Sequence, residues 1–510
     1  MTEAPVTETI MNSNLETAAH PETLRRVAIE PISRVEGHGK VTLLLDEDDH
    51  VHQVRLHIVE FRGFEKFIQG RPYWEVPVMV QRLCGICPVS HHLAASKALD
   101  QIVGAGVGNN PLTPTADKLR RLMHYGQILQ SHALHFFHLS SPDLLFGFGS
   151  DMAQRNIVGV AAANPEVARQ GILLRKYGQE VIRHTAGKRV HGTGSVPGGV
   201  NKNLSLAERD ELLKDIYQMI GWARGAVHLM RQLFEQNLDE YNAFGRFDAH
   251  TLSLIRADGA MDLYHGGLRA RDMNGNTLFD HVNYDHYWDQ IGEEVKSWSY
   301  MKFPFLKQLG PDTGWYRVGP LARVAQCDFI PTPLADRERQ DFLTFDAGKP
   351  AGSTLGYHWA RMIEMLHAAE MIKELLHDDD LQGTDLVVKG ERQERGVGMI
   401  EAPRGTLIHH YRVDEHDQVI RANLIVSTTH NNQAMNEAVR KVAMQYLDGR
   451  KLTEGLLNHI EVAVRAFDPC LSCATHALGK MPLQVELLDA EGKQIDQITR
   501  GSGDQPTTCR

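Results

Sequence analysis

Hydrophobic and polar positions change rhythm several times along the chain. From Arg26 they alternate, and RVAIEPI (26–32), KVTLLL (40–45) and VHQVRLHIVE (51–60) read as strands, with the acidic DEDDH (46–50) as a hairpin turn. Helical spacing dominates afterwards. Thr113-Pro114 is an N-cap followed by proline at the first helical position, which opens a helix to about His138. Ser205 and Glu208 match a capping box, and Leu212, Ile216, Met219, Ile220, Leu229, Met230 and Leu233 follow as one periodic run. Met362, Met365, Leu366, Ala369, Ile372 and Leu376 mark another helix over 356–376. Residues 404–428 return to strand-like text, 432–468 to helices, and LQVELLDAEGKQIDQIT (483–499) to a hairpin. Packing alone accounts for the Met and Leu stripes, so they are assigned to the core. The pattern predicts a helix-dominated α+β fold.

A chain of 510 residues suggests roughly three domains of about 150, or one large fused core. The net charge of −10 argues against a general nucleic-acid binder, which carries a basic stripe. No run of about 18 apolar residues exists, so no transmembrane helix is expected. Residues 1–24 are polar and acidic, read as a flexible arm, and lack a basic segment followed by an apolar one. The chain is therefore placed in the cytoplasm, or exported only as a passenger. Histidine is abundant, at 27 residues, and imidazole is the commonest metal-ligand side chain.

Four of the six cysteines fall in two Cys-x-x-Cys motifs, Arg82-Leu-Cys84-Gly-Ile-Cys87 and Asp468-Pro-Cys470-Leu-Ser-Cys473. In a long cytoplasmic chain such pairs read as metal or redox chemistry before a disulfide framework. Two thiolates at this spacing can form two corners of a soft metal cage. Most of the chain separates the pairs, whereas a zinc ribbon closes a loop of roughly 15–20 residues. Either they share one buried site where the two ends of a large fold meet, or they are separate structural or redox pairs. Cys327 and Cys509 stand alone, so the chain lacks the four further thiolates of a conventional iron–sulfur cluster. If the site handles electrons, a partner must carry them away.

RLCGIC and DPCLSCATH resemble the paired signatures of the large subunit of nickel–iron hydrogenases. RVEGHGK (34–40), FRGFEKFIQGR (61–71), HFFHLSSPD (135–143), EAPRGTLIHHY (401–411) and STTHNN (427–432) are similar to further blocks of that family, in family order and over nearly the whole chain. STTHNN stands where many periplasmic members have Pro-Ser-Thr-Trp-Asn. With EAPRGTLIHHY it resembles the cytoplasmic NAD-linked or high-affinity respiratory branches. The resemblance implies long central helices and small peripheral sheets near the N- and C-terminal segments. It implies a single catalytic domain over 25–476 and an extension, 477–510, that a maturation peptidase removes after His476. It implies reversible dihydrogen oxidation, with an obligate small subunit that carries iron–sulfur clusters. The heterodimer would belong to a larger oligomer that delivers electrons to NAD or quinone through further subunits, in the cytoplasm or at a membrane through those partners. The alternative is a non-catalytic relative in the quinone module of respiratory complex I. Those relatives have lost the cysteine ligands, so the four cysteines here oppose it.

The resemblance also implies residue roles. Cys84 and Cys470 become terminal nickel ligands, and Cys87 and Cys473 bridge nickel to an iron that carries carbonyl and cyanide. Cys470 is the base that takes a proton from dihydrogen, and Glu36 relays it. Arg404 overhangs the open metal position and helps hold one cyanide, while the Thr428 hydroxyl holds another. Asp468 and Asp143 orient Arg404. Glu65, the Leu424 carbonyl and His476 bind magnesium. Without the resemblance, a solvent-facing Glu36, a turn Asp468, a helix-capping Asp143 and a structural four-cysteine zinc site in a non-catalytic scaffold are the plainer readings. His91, His92, His132, His135 and His138 are read as histidines around the site, not as ligands.

Overall fold

A computed structural model describes residues 18–344 and 350–475, and the backbone of 483–488 and 494–500. The chain opens with an antiparallel sheet of β1 (Arg25–Ile29), β2 (Gly39–Leu45) and β3 (Val51–Ile58), in the order β1-β2-β3. As the alternation predicts, Val41, Leu43, Leu45, Val54, Leu56 and Ile58 are buried. Asp46 closes the β2–β3 turn by accepting from the Asp48 and His50 amides.

Four long helices form the centre. They are α2 (Pro114–Leu134), α3 (Pro165–Ala186), α4 (Ile216–Gln236) and α5 (Gly356–Leu376), and α1 (Pro88–Ile102) precedes them in the chain. Helix α2 packs along α3 and α5, and α5 also packs along α4. Thr113 caps α2 by accepting from the Ala116 amide at 3.1 Å. The helix reaches Leu134 and continues to Ser140 as a wider π-turn that carries His135 and His138. The capping box at Ser205 and Glu208 is formed, but the periodic run behind it is two helices, Leu206–Leu213 and α4. Helix α5 has the bounds expected from its stripe, and it is buried on almost every side.

Residues 250–306 depart from the expected helical text. They contain β4 (His250–Ile255), β5 (Gly267–Arg271) and β6 (Thr277–Val282), and β7 (Tyr316–Arg317) joins β4 to complete a four-stranded sheet. All six residues of β4 are buried, so both faces are covered and the alternation that marks a half-exposed strand is lost. Small sheets are therefore not confined to the chain ends. A third sheet is built from β8 (Arg395–Ala402), β9 (Gly405–Val413) and β10 (Val419–Ile425), and α1 packs across β8 and β9. Helices α6 (Asn432–Tyr446) and α7 (Glu454–Ala466) then return the chain to the first sheet, with α6 against β3. The expected terminal hairpin is present as β11 (Leu483–Leu488) and β12 (Gln494–Arg500), paired antiparallel. Residues 1–17 of the expected arm, His476 and the remainder of the extension lie outside the described residues.

Candidate metal centre

The two cysteine motifs meet in one buried place. The Sγ atoms of Cys84, Cys87, Cys470 and Cys473 all lie within 4.8 Å of one another. Cys84 is 3.3 Å from Cys470, Cys87 is 3.7 Å from Cys473, and Cys470 is 2.8 Å from Cys473. Of the two readings that spacing leaves open, the shared site is the one the fold builds.

Local structure aims each pair. The first motif is a tight loop in which the Ile86 amide points at the Cys84 sulfur, 3.1 Å away. Gln127 and Gln130, one turn apart on α2, both donate to the Ile86 carbonyl, at 2.8 and 2.7 Å. Cys87 then stands at the N-cap of α1, where Pro88 occupies the first turn and the helix dipole favours a thiolate. The second motif follows α7. Its backbone runs beside the RVEGHGK loop, where Glu36 and Cys470 form a parallel bridge and the Leu471 amide donates to the Glu36 carbonyl at 2.9 Å. Gly37, at φ +82°, allows this approach, because a Cβ there would sit 2.6 Å from the Ser472 nitrogen.

Four thiols this close cannot ionise independently. Hydrogen bonds from Cys470, Cys473 and Cys84 hold the Cys87 thiol well below its ordinary value, while burial pushes Cys470 and Cys473 well above theirs. Metal binding would displace the remaining protons.

Glu36 lies against the cage. The Cys470 thiol donates to its Oε2 at 3.0 Å, the Ser472 amide donates to the same oxygen at 3.2 Å, and the Ser472 hydroxyl donates to Oε1. Arg404 occupies the two-residue tip between β8 and β9. Its Nε donates to the Asp468 carbonyl at 2.5 Å and its Nη2 to Asp468 Oδ1 at 3.0 Å. Burial opposes this guanidinium's charge, but the Asp468 carboxylate and the thiol sulfurs keep it firmly protonated. Thr428 accepts the Cys470 amide at 2.9 Å, which leaves its hydroxyl hydrogen to donate elsewhere.

A small cavity adjoins the sulfurs and is lined by Cys87, Ser90, His91, Arg404, Thr428 and Cys470, among others. Arg404 Nη1 and Ser90 Oγ are buried without a hydrogen-bond partner among the described residues. Soft sulfur donors beside unsatisfied hydrogen-bond donors fit a thiolate-bound metal pair with small acceptor ligands.

Asp143 requires a correction. It does not orient Arg404, because its carboxylate is already taken by Arg465 at 2.6 Å, Arg34 at 2.6 Å and Asn458 at 3.1 Å. Asp143 lies in the first turn of a short helix, Ser141–Phe146, and reaches α7 and the loop of Arg34. It thus anchors the segment that carries Glu36. Glu65 is buried, and its Oε1 accepts the Leu424 amide at 2.8 Å. Arg62 and Gly63, just ahead of it, both donate to the Thr475 carbonyl, at 3.2 and 3.3 Å. His476 lies outside the described residues.

The histidines stand around the cage without entering it. His91 lines the cavity, His132 pairs with Glu364 at 3.0 Å, and His135 meets the Arg465 carbonyl at 2.7 Å. Sequence reasoning misses Ser90, Ser472, Arg323 and Glu364. Glu364 gives no distinctive signal, since His358, Arg361, His367 and Glu370 are buried on the same helix.

Comparisons with known proteins agree with this geometry. Residues 62–147 and 223–476 match the family described as nickel-dependent hydrogenase, and residues 26–61 match one described as HoxL-like. The beta subunit of the NAD-reducing hydrogenase HoxS of Cupriavidus necator is 49% identical over 487 residues, covering 93% of this chain and 100% of that protein. The corresponding chain of the F420-non-reducing hydrogenase of Methanothermobacter thermautotrophicus is 41% identical over 478 residues, covering 93% of this chain and 100% of that protein. The crystal structure of an NAD+-reducing nickel–iron hydrogenase in its H2-reduced state superposes with a TM-score of 0.87 at 61% identity, covering 89% of this chain and 100% of that one. With a buried four-thiol cage at the place where both ends of the matched region meet, the chain belongs to the nickel-dependent hydrogenases as their large, catalytic subunit.

Proposed function

We propose that this subunit splits dihydrogen within an NAD-reducing complex, with Cys470 and Glu36 as the first two stations of the proton's exit. The observation that carries this reading is the contact of Cys470 Sγ with Glu36 Oε2, 3.0 Å apart at the edge of the cage. When bound by the four cysteines, the nickel–iron pair supplies the place where dihydrogen is cleaved and its two electrons are taken up. Cys84, Cys87, Cys470 and Cys473 would together hold that pair through their sulfurs. The Cys470 sulfur accepts a proton, and Glu36 takes it from that sulfur. Ser472 holds the carboxylate in place through its amide and hydroxyl, so little reorganisation separates the donor and acceptor states.

Arg404 Nη1, Ser90 and Thr428 offer the hydrogen bonds that cyanide or carbonyl ligands on iron would accept. Asp468 fixes the other edge of the guanidinium. Magnesium, a hard cation that keeps oxygen ligands and waters, would be held by the Glu65 carboxylate, the Leu424 carbonyl and His476. The amides that grip Thr475 tie the residue preceding His476 to the loop of Glu65, which supports that assignment.

Electrons leave through a small subunit that carries iron–sulfur clusters. Phe61, Phe67, Trp74 and Val78 are exposed on the stretch leading into Cys84 and suit such a partner. The whole-length likeness to the beta subunit of an NAD-reducing hydrogenase supports NAD as the final acceptor. The extension after His476 is assigned to removal by a maturation peptidase. No helix among the described residues is long and apolar enough to cross a membrane.

The test is the complex purified with its partners from the native host. It should contain nickel and iron and reduce NAD+ under dihydrogen. Zinc in the cage without dihydrogen uptake would sink the catalytic reading. Dihydrogen-driven reduction of a viologen dye but not of NAD+ would sink the choice of acceptor alone.

A further inference from the structure

Beneath the β8–β9 tip lies a buried ion cluster that the proton path does not use. Arg323, on the short helix Pro320–Gln326, meets both oxygens of Glu364 at 2.5 and 2.6 Å and Glu401 Oε2 at 2.8 Å. The same guanidinium donates to the carbonyls of Ala402 at 3.0 Å and Pro403 at 3.3 Å, the two residues before Arg404. All three charged side chains are buried. A buried ion cluster is weak grounds for stability, because its desolvation cost offsets much of its attraction. Its geometry, however, fixes whatever backbone it binds.

We infer that Arg323 is a positioning residue for Arg404, gripping the tip so that the Arg404 guanidinium stays aimed at the metal cavity. An independent contact supports this. Val318 and Gly319, which lead into the Arg323 helix, pack directly on Arg404 and Gly405. A Cβ at Gly319 would lie 2.8 Å from the Arg404 carbonyl, and one at Gly405 would lie 2.2 Å from Val318 Cγ2. Ser427 holds the tip from the far side, donating to the Gly405 carbonyl at 2.7 Å. The backbone of Arg404 is therefore fixed by Arg323, Gly319 and Ser427, and its side-chain end by Asp468. A planar guanidinium can reach two carboxylates and two carbonyls at once, and a lysine ammonium, a compact point charge with three donors, cannot.

The inference rests on the reading of Arg404 as a hydrogen-bond donor to the metal centre, and the test separates the two. Arg323→Lys, Arg404→Lys and the double variant are prepared in the holoenzyme. Arg323→Lys keeps the buried charge, so nickel and iron contents should stay near normal, while turnover falls about 10- to 100-fold, as expected of a reacting group displaced by about an ångström. The double variant should be no slower than Arg404→Lys beyond about twofold, since one residue acts through the other. The infrared bands of the iron's diatomic ligands should shift in the same direction in both single variants. Should Arg323→Lys lose its metals, Gly319→Ala keeps all three charged side chains and crowds the same tip, and carries the same expectation. Wild-type turnover and unshifted bands in Arg323→Lys, or losses that multiply in the double variant, overturn the inference. Unchanged turnover and bands in Arg404→Lys overturn the reading of Arg404, and the inference with it.

Discussion

Replacing Glu36 with glutamine separates its chemistry from its packing. The groups that hold the carboxylate are donors: the Cys470 thiol and the Ser472 amide to Oε2, and the Ser472 hydroxyl to Oε1. A glutamine can keep its oxygen at the Oε2 position and accept the first two. Its amide nitrogen then faces the Ser472 hydroxyl, which rotates to accept instead of donate. The variant should therefore fold and load nickel and iron normally, with a stability change within about 1 kcal/mol, the net worth of an ordinary hydrogen bond. What it loses is the ability to take a proton at the carboxylate in contact with the cage thiol. Removing a positioned acid–base group costs roughly 10²–10⁴-fold, equivalent to about 3–5 kcal/mol of barrier. Dihydrogen oxidation with a dye acceptor measures the turnover, and exchange of D2 with solvent protons isolates the proton step, which should slow by the same factor. Full exchange and turnover in the variant would refute the relay. Loss of metal in place of loss of rate would reassign Glu36 to structure.

Cys470→Ala should abolish dihydrogen oxidation, because the cage loses a ligand and the nearest base; an active purified variant would displace the proposed centre. Asp143→Ala should destabilise the subunit by about 3–5 kcal/mol, since it leaves the buried Arg465 and the partly buried Arg34 without their carboxylate; an unchanged unfolding midpoint would contradict this. Burial holds His92 and His124 down to about 4 and His358 and His430 to about 3. Because the unfolded chain binds these protons from about pH 6.5 downwards, each imidazole removes up to about 1.4 kcal/mol of stability per pH unit as pH falls from there to its folded value. Unfolding midpoints should drop steeply between about pH 6.5 and 4, and a flat profile would count against neutral burial. Intact-mass measurement of nickel-loaded protein from the native host should give a chain ending at His476, and an active chain still ending at Arg510 would refute cleavage.

Much of this protein can be read from neighbouring residues alone. The bounds of α5, the Thr113 cap and the Ser205–Glu208 box are legible because each depends on residues within a few positions of one another. The four cage cysteines are legible too, since their type and paired spacing restrict the chemistry to soft metals or redox. Legibility fails where the cause is distant. Strand β4 shows no alternation because the fold covers both its faces. The resemblance assigns Asp143 to Arg404, yet Arg465, from the far end of the chain, takes it. Arg323 reads as any arginine until the β8–β9 hairpin brings the Ala402 and Pro403 carbonyls to it. Periodicity reports which face of an element is buried, because that is set along the element itself. Which charge meets which, and whether two cysteine pairs share a site, depends on chain crossings that place residues hundreds of positions apart within a few ångströms, and no local pattern reports those.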